Sequence, residues 1–200
     1  MRRFSVLSLG LLLALAPAAE LLADEVTNQV DAARASYAKG DQLRALVALQ
    51  GAVGQLSQRL TNQFAKLMPS APRGWDSGNP EAQSLDGAGG GLGVTQAFSK
   101  GDATLNVSLV VDNPTVGASA SMIQGASQTA RPGWARLKLG ADEALLRFDP
   151  AARSGEVMIV VGERVLLQVE ANEITKDDVL LDMAKSWNTA AVRKFIDGGS

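Results

Sequence analysis

The chain has 200 residues and contains neither cysteine nor histidine. These absences exclude disulfide frameworks, Cys/His zinc sites, haem bound through His or Cys, and catalysis by Ser-His-Asp or Cys-His groups. The formal net charge is −2, so no strong electrostatic field favours nucleic acid or anionic lipid. With 46% hydrophobic and 20% charged residues, the composition is that of a globular protein with a packed core.

The first 23 residues have the pattern of an export signal. Two arginines near the start precede an apolar run over residues 4–16, which has the length of a signal-peptide core and is too short for a relaxed membrane span. Small residues follow, and we expect cleavage near Ala23, with Ala18 or Ala19 as the alternative site. The sequence therefore predicts a periplasmic or secreted protein that is not membrane-embedded after cleavage; an uncleaved anchor is the other interpretation.

Residues 24–68 have the periodicity of an αα-hairpin. Gly40 provides a helix stop, and Asp41 provides a cap for the next helix. In the second helix, apolar residues recur in heptads, which predicts a seam against another helix. The seam consists of Leu46, Val53, Leu60 and Leu67, with Leu49 and Leu56 at the d-like offset. Gly51 and Gly54 lie inside this helix at a cost of about 1 kcal/mol each relative to alanine, which favours close approach by a neighbouring backbone.

Residues 33–49 resemble one tetratricopeptide-type helix-turn-helix unit. The resemblance rests on Tyr37, the turn at residues 39–41, and a face of small residues that includes Ala45 and Ala48. No second copy follows, and a solenoid of such units needs about three copies to close its core. We therefore expect a single hairpin and not a repeat array.

The end of the second helix is the candidate partner-binding site. A first helix of about 15 residues covers only part of a second helix of about 27. Leu60, Phe64 and Leu67 in the overhang therefore need another apolar surface. Either the sheet domain folds back onto them, or they bind a partner protein or a second copy of the chain.

Residues 69–93 are rich in proline, glycine and small polar residues, which predicts a linker or loop. Trp75 is the exception, and we expect it to dock on the domain that follows. The glycines at 87–93 do not match a nucleotide-binding motif in phase, and they are not preceded by a strand and followed by a helix as such a motif requires.

The sequence pattern over residues 94–200 predicts an α+β domain with a mainly antiparallel sheet and two helices. Two strands come first, a short helix begins after the cap residue Asn113, and four short strands follow. The last two strands are joined at Gly162-Glu163, which has the pattern of a two-residue type II′ turn. A helix closes the domain, with Thr175 and Asp178 as its capping box.

This order of elements behind an export signal resembles the Mog1/PsbP-like fold, which includes the photosystem II extrinsic protein and exported bacterial proteins of the DcrB type. The resemblance covers about residues 73–197 and also rests on Gly74-Trp75 and on hairpins at 99–102 and 154–162. The layout is similar to that of proteobacterial periplasmic proteins with an N-terminal helical pair. Such relatives imply binding or scaffolding roles, and they supply no catalytic residues.

Two groups of charged residues allow a functional interpretation. Acidic residues around Asp177 and Asp178 suit a hard cation, but they also complement the dipole of the final helix and lack the spacing of a calcium loop. Basic residues on the polar faces of the predicted strands form a stripe for an anionic ligand if those strands are neighbours. Acidic side chains interleave with them, which favours a mixed solvated face. These basic residues are Arg136, Lys138, Arg147 and Arg164.

We therefore expect no enzyme activity, no cofactor and no metal site. The leading hypothesis is an exported, non-enzymatic binding or protein-interaction module of the bacterial periplasm that acts through its long second helix, with no nucleic acid partner. Two alternatives stay open. One is a small-ligand carrier or carboxylate-based hydrolase with a cleft in the sheet domain, and the other is a structural dimerisation module.

Overall fold

A computed structural model of the protein describes residues 24–125 and 133–198. The chain divides into two compact units, which we call the helical unit, ending at Ala52, and the sheet unit, beginning at Val53. The division falls inside the second helix and not, as the sequence predicts, after residue 68. The predicted α+β class is confirmed, because a helical pair precedes a mainly antiparallel sheet with further helices. The export signal lies outside the described residues and stays a prediction.

The helical unit consists of α1 (Glu25–Ala38) and the first part of α2 (Gln42–Ala65). The predicted stop and cap between them are both present. Gly40 has a φ of +79°, and the Asp41 carboxylate accepts a hydrogen bond from the Arg44 amide at 3.1 Å, as expected for a helix C′ glycine followed by an N-cap. No helix in the described part of the chain is long and apolar enough to cross a membrane.

The sheet unit is built on one sheet in the order β1-β3-β4-β8-β7-β6-β5, with β2 paired to the same edge of β3 as β1. All its strand pairs are antiparallel, and the long excursion through β5, β6 and β7 returns to place β8 beside β4. The strands are β1 (Asp76–Ser77), β2 (Glu81–Ser84), β3 (Leu92–Lys100), β4 (Ala103–Val111), β5 (Trp134–Leu139), β6 (Asp142–Asp149), β7 (Ser154–Val161) and β8 (Val165–Asn172). The helices of this unit besides the end of α2 are α3 (Pro114–Gly125), α4 (Asp178–Ser186) and α5 (Thr189–Ile196).

The two faces of the sheet are covered differently. On one face, α4, α5 and Phe64 pack on fully buried strand residues such as Leu105 and Leu167, and this cluster is the main core. On the second face, α3 covers a smaller apolar cluster through Val116 and Ile123. The rest of the second face is polar, because alternate residues of each strand point to opposite sides of a sheet.

The predicted linker is largely part of the sheet unit. Residues 69–93 contain β1, β2 and a short 3₁₀ helix (Asp86–Ala88), and β3 begins inside them. Trp75 packs against the main core, as predicted. One glycine here is required by close approach: at Gly91 φ is +91°, and a Cβ would overlap the carbonyl oxygen of Val111.

The single closing helix predicted from Thr175 is instead two helices. The capping box is not formed, since α4 begins after Asp177, whose side chain makes no capping hydrogen bond. The backbone becomes extended at Trp187, which is buried in the main core. Asn188 then caps α5 by accepting a hydrogen bond from the Ala191 amide at 2.9 Å.

Candidate functional site

The helical unit leaves most of its large apolar side chains exposed. Among its described residues only alanines are buried, namely Ala33, Ala45, Ala48 and Ala52. Six larger apolar residues are exposed by 39% to 73% of their area, and we call them the hairpin surface: Val30, Tyr37, Leu43, Leu46, Val47 and Leu49. These alanines are therefore covered, while the leucines of this unit are not.

The small size of the buried residues limits the stabilisation that the helical unit gains from its own packing. Four alanine methyl groups contribute on the order of 3 kcal/mol, which one or two buried leucines would also supply. Short helices are marginal in water without tertiary packing. The hairpin surface is therefore the strongest candidate for a docking surface in this unit.

The heptad pattern of α2 does not form the predicted seam against α1. Leu46 and Leu49 are exposed in the helical unit, and Val53, Leu56 and Leu60 are exposed by 38% to 61% in the sheet unit. The alanines Ala45, Ala48 and Ala52 are buried instead, so the covered face of this helix consists of its smallest residues.

The two glycines inside α2 also differ from expectation. A Cβ on Gly51 would meet the flexible side chain of Gln29, and not a backbone, at 3.1 Å. At Gly54 nothing lies within 4 Å of the position that a Cβ would occupy. Neither glycine is therefore explained by the approach of a neighbouring backbone.

The three residues predicted as a partner-binding site have different environments within the sheet unit. Phe64 is 3% exposed and packs edge-on against Phe195, with ring centroids 4.8 Å apart. Leu67 is partly buried against the same main core, whereas Leu60 is 38% exposed. The alternative in which the sheet unit covers these residues therefore holds for Phe64 and Leu67, and Phe64 is not available to a partner.

A polar cleft of about 470 Å³ lies on the uncovered part of the second sheet face, and we call it the sheet cleft. One wall is a bulge: Ser77 pairs with Phe98 and Glu81 with Thr95, so residues 78–80 have to fit opposite only two residues of β3. The polar side chains that line the cleft come from four strands, and the main ones are Glu81, Thr95, Asn106, Ser108, Gln168 and Glu170.

Two carboxylates face each other beside the sheet cleft. Glu156 on β7 lies directly opposite Glu170 on β8, and Gln168 Nε2 donates to both, at 2.9 Å to Glu156 Oε1 and 2.7 Å to Glu170 Oε1. Arg147 donates to Glu156 Oε2 at 3.1 Å. Burial raises the pKa of Glu156, the charge of Arg147 partly opposes that shift, and the charge of Glu170 adds to it. Like charges directly opposite each other on neighbouring strands are destabilising.

The predicted basic residues do not form a free positive stripe. Three of the four make ion pairs with carboxylates: Arg136 with Glu143, Arg147 with Glu156 at 3.1 Å, and Arg164 with Asp112 at 2.6 Å. Arg164 also donates to the carbonyl oxygen of Ile196 at 2.9 Å. The mixed face that the sequence favours is therefore what the structure contains.

In the described ranges, no three or more His, Cys, Asp or Glu side chains are grouped so that they could hold a metal ion. No protein-family model, curated protein or solved structure matches the chain. The resemblances to the Mog1/PsbP-like fold and to a tetratricopeptide-type unit stay predictions.

Sequence reasoning did not single out the Glu156–Glu170 pair, because the pair depends on strand register. A two-residue turn at Gly162-Glu163 would place Gly155 opposite Glu170. The connection has three residues, with Val161 paired to Val165, and this shift by one residue brings Glu156 there instead. The signal that was available is the alternation of β8, which puts Gln168 and Glu170 on its polar side.

Proposed function

We propose that the protein is an exported, non-enzymatic interaction module of the periplasm, and that its helical unit binds a second copy of itself through the hairpin surface. The observation that carries this proposal is the inverted burial in the helical unit, with alanines inside and leucines outside. Exposed apolar patches of this kind mark interaction sites. The lack of histidine and cysteine supports a non-enzymatic role, since most nucleophile–base pairs use one of them.

The size of the hairpin surface fits a second copy. A leucine side chain has about 100 Å² of apolar area to bury, so the six residues leave on the order of 300 Å² exposed per copy. Because a little over half of an interface is apolar, two copies would bury about 1,000 Å² in total, the lower limit for a specific interface. We therefore expect a reversible dimer.

Charge favours a second copy over a strongly charged partner. Between Gln42 and Ala52 the one charged residue is Arg44, and Asp41 pairs with it at 3.3 Å. This part of the hairpin surface is close to neutral, so it does not repel an identical surface across a two-fold interface. An acidic or basic partner finds little complementary charge here.

The test is the concentration dependence of the mass of the chain from Asp24 onwards, measured by analytical ultracentrifugation. We expect a monomer–dimer equilibrium that Leu46→Asp shifts about tenfold or more towards monomer, because the interface would have to bury an unpaired charge. Leu46→Gln, which keeps a good helix former, should shift the equilibrium in the same direction by less.

Gln55→Asp is the matched control. It adds the same charge at an exposed position of α2, about 180° around the helix from Leu46, and it should leave the equilibrium unchanged. Circular dichroism shows whether each variant keeps its helices. A chain that stays monomeric at every concentration, or a control that dissociates as far as Leu46→Asp, contradicts the proposal.

A further inference from the structure

We propose that the sheet cleft binds a small hydroxylated amine of the amino-sugar class. In this arrangement the ammonium group of the ligand lies against Glu170, beside which Glu156 adds negative charge, and the hydroxyl groups lie against the neutral polar side chains of the cleft. The site belongs to the sheet unit alone and does not depend on the hairpin surface.

The shape of the cleft suits a ligand of this size. Its volume of about 470 Å³ lies within the range of small-molecule sites, roughly 300–1,000 Å³. The floor is formed by paired strands, and the bulge at residues 78–80 is held in place where Gln96 Nε2 donates to the Gly78 carbonyl oxygen at 3.0 Å. Bulges are over-represented beside active sites, where they redirect the chain.

The charge of the cleft selects for a cation. Among the described residues that line it, the charged ones are Glu81 and Glu170, and none is basic. Arg147 lies one strand beyond Glu156 and already donates to it. An ammonium group with three donors would relieve the repulsion between Glu156 and Glu170, whereas a carboxylate or phosphate would add to it.

The neutral lining is placed for hydroxyl groups. Asn106 is directly opposite Glu170 across the β4–β8 pair, and Ser108 is opposite Gln168 in the same pair. Thr95 comes next, opposite Ser108 on β3. Since neighbouring strands are about 4.8 Å apart, these neutral groups extend over two strands, or roughly 10 Å, from the strand that carries Glu170. No aromatic side chain is among the described lining residues, so a flat aromatic ligand has nothing to stack on.

The experiment is isothermal titration of the chain from Asp24 onwards with glucosamine, glucose and methylamine. We expect glucosamine to bind about tenfold or more tightly than glucose, which lacks the ammonium group, and than methylamine, which lacks the hydroxyl groups. Glu170→Gln should weaken glucosamine binding by about ten- to a hundredfold, the usual loss with one charge-assisted hydrogen bond. Ser108→Ala should weaken it less.

Glu163→Gln is the matched control, because it removes the same charge at an exposed residue outside the cleft, and it should leave the affinity unchanged. The proposal is overturned if glucosamine does not bind, if methylamine binds as tightly as glucosamine, or if the control loses as much affinity as Glu170→Gln. Leu46→Asp should bind glucosamine like the wild type, so failure of this proposal is distinguishable from failure of the proposed dimer.

Discussion

In the sheet unit the leucines at the centres of the strands are fully buried, whereas in the helical unit leucines are exposed and alanines are buried. Leu105 and Leu167 have no exposed area, while Leu43 is 73% exposed. A sheet covered by helices offers two broad surfaces for apolar side chains, but two short helices share only one narrow contact. The sheet unit therefore has a core of its own, and the stability of the helical unit depends on what its leucines contact, which links it to association.

The largest change in the free energy of unfolding is expected when a leucine of the main core is truncated. Leu105→Ala should lower the free energy of unfolding by about 3 kcal/mol, through lost burial and a cavity. Urea unfolding followed by tryptophan fluorescence measures it, because Trp75, Trp134 and Trp187 all belong to the sheet unit. Leu43→Ala, in the helical unit, should change helix stability by less than about 0.5 kcal/mol at concentrations where the chain is monomeric, measured by far-ultraviolet circular dichroism. Equal losses for the two variants under these conditions would show that Leu43 is buried within the monomer.

Replacing a glycine by alanine should lower the free energy of unfolding in the sheet unit and raise it in the helical unit. Gly91→Ala should destabilise the sheet unit by about 2 kcal/mol, because φ is +91° and the backbone of Val111 occupies the space for the new methyl group. Gly51→Ala should stabilise the helical unit by up to about 1 kcal/mol, since only the mobile end of Gln29 has to move. Urea unfolding with the same two probes measures both variants. A destabilising Gly51→Ala would mean that this helical pair is packed as tightly as the sheet.

The features of the helical unit that were predictable from sequence are the local ones. Gly40 and Asp41 carry their own turn and cap chemistry, and both act as predicted. The packing face was not predictable from the heptads alone, because α2 has leucines on one face and Ala45, Ala48 and Ala52 on another. Which face meets a neighbour depends on how closely the helices approach, and a periodic pattern does not contain that distance.

The sheet cleft was less predictable for two physical reasons. Its wall comes from residues 69–93, where proline and glycine indicate a loop, yet two short segments there add to the free edge of β3. The second reason is the turn between β7 and β8, which has three residues where Gly162-Glu163 indicates two. The extra residue changes the β7 partner of every residue on β8 and brings Glu156 opposite Glu170. The alternation of polar and apolar residues predicts which face of the sheet each side chain lies on. Which residues meet across neighbouring strands depends on register, which this alternation does not contain.

The smallest effects are expected when one ion pair is broken in each unit. Arg164 donates to Asp112 at 2.8 and 2.6 Å and holds the pKa of this carboxyl below its usual 3.8. Asp112→Asn should cost the sheet unit at most about 1 kcal/mol at neutral pH, because both side chains are half-exposed and solvent screens the pair. Asparagine tolerates the φ of +54° at this position, so the substitution tests the charge and not the backbone.

The pH dependence of this loss follows from the direction of the shift. Because the folded-state pKa of Asp112 is depressed, its contribution is complete above 3.8 and is lost as the pH falls through the folded-state value. Wild type and Asp112→Asn should therefore differ at neutral pH and converge in acid, in urea unfolding followed by tryptophan fluorescence. At neutral pH, Asp41→Asn should leave helix stability nearly unchanged, because Asp41 and Arg44 are more loosely paired at 3.3 Å and asparagine caps a helix as well as aspartate does. A gap between wild type and Asp112→Asn that persists in acid would mean that the loss does not arise from the charge of Asp112.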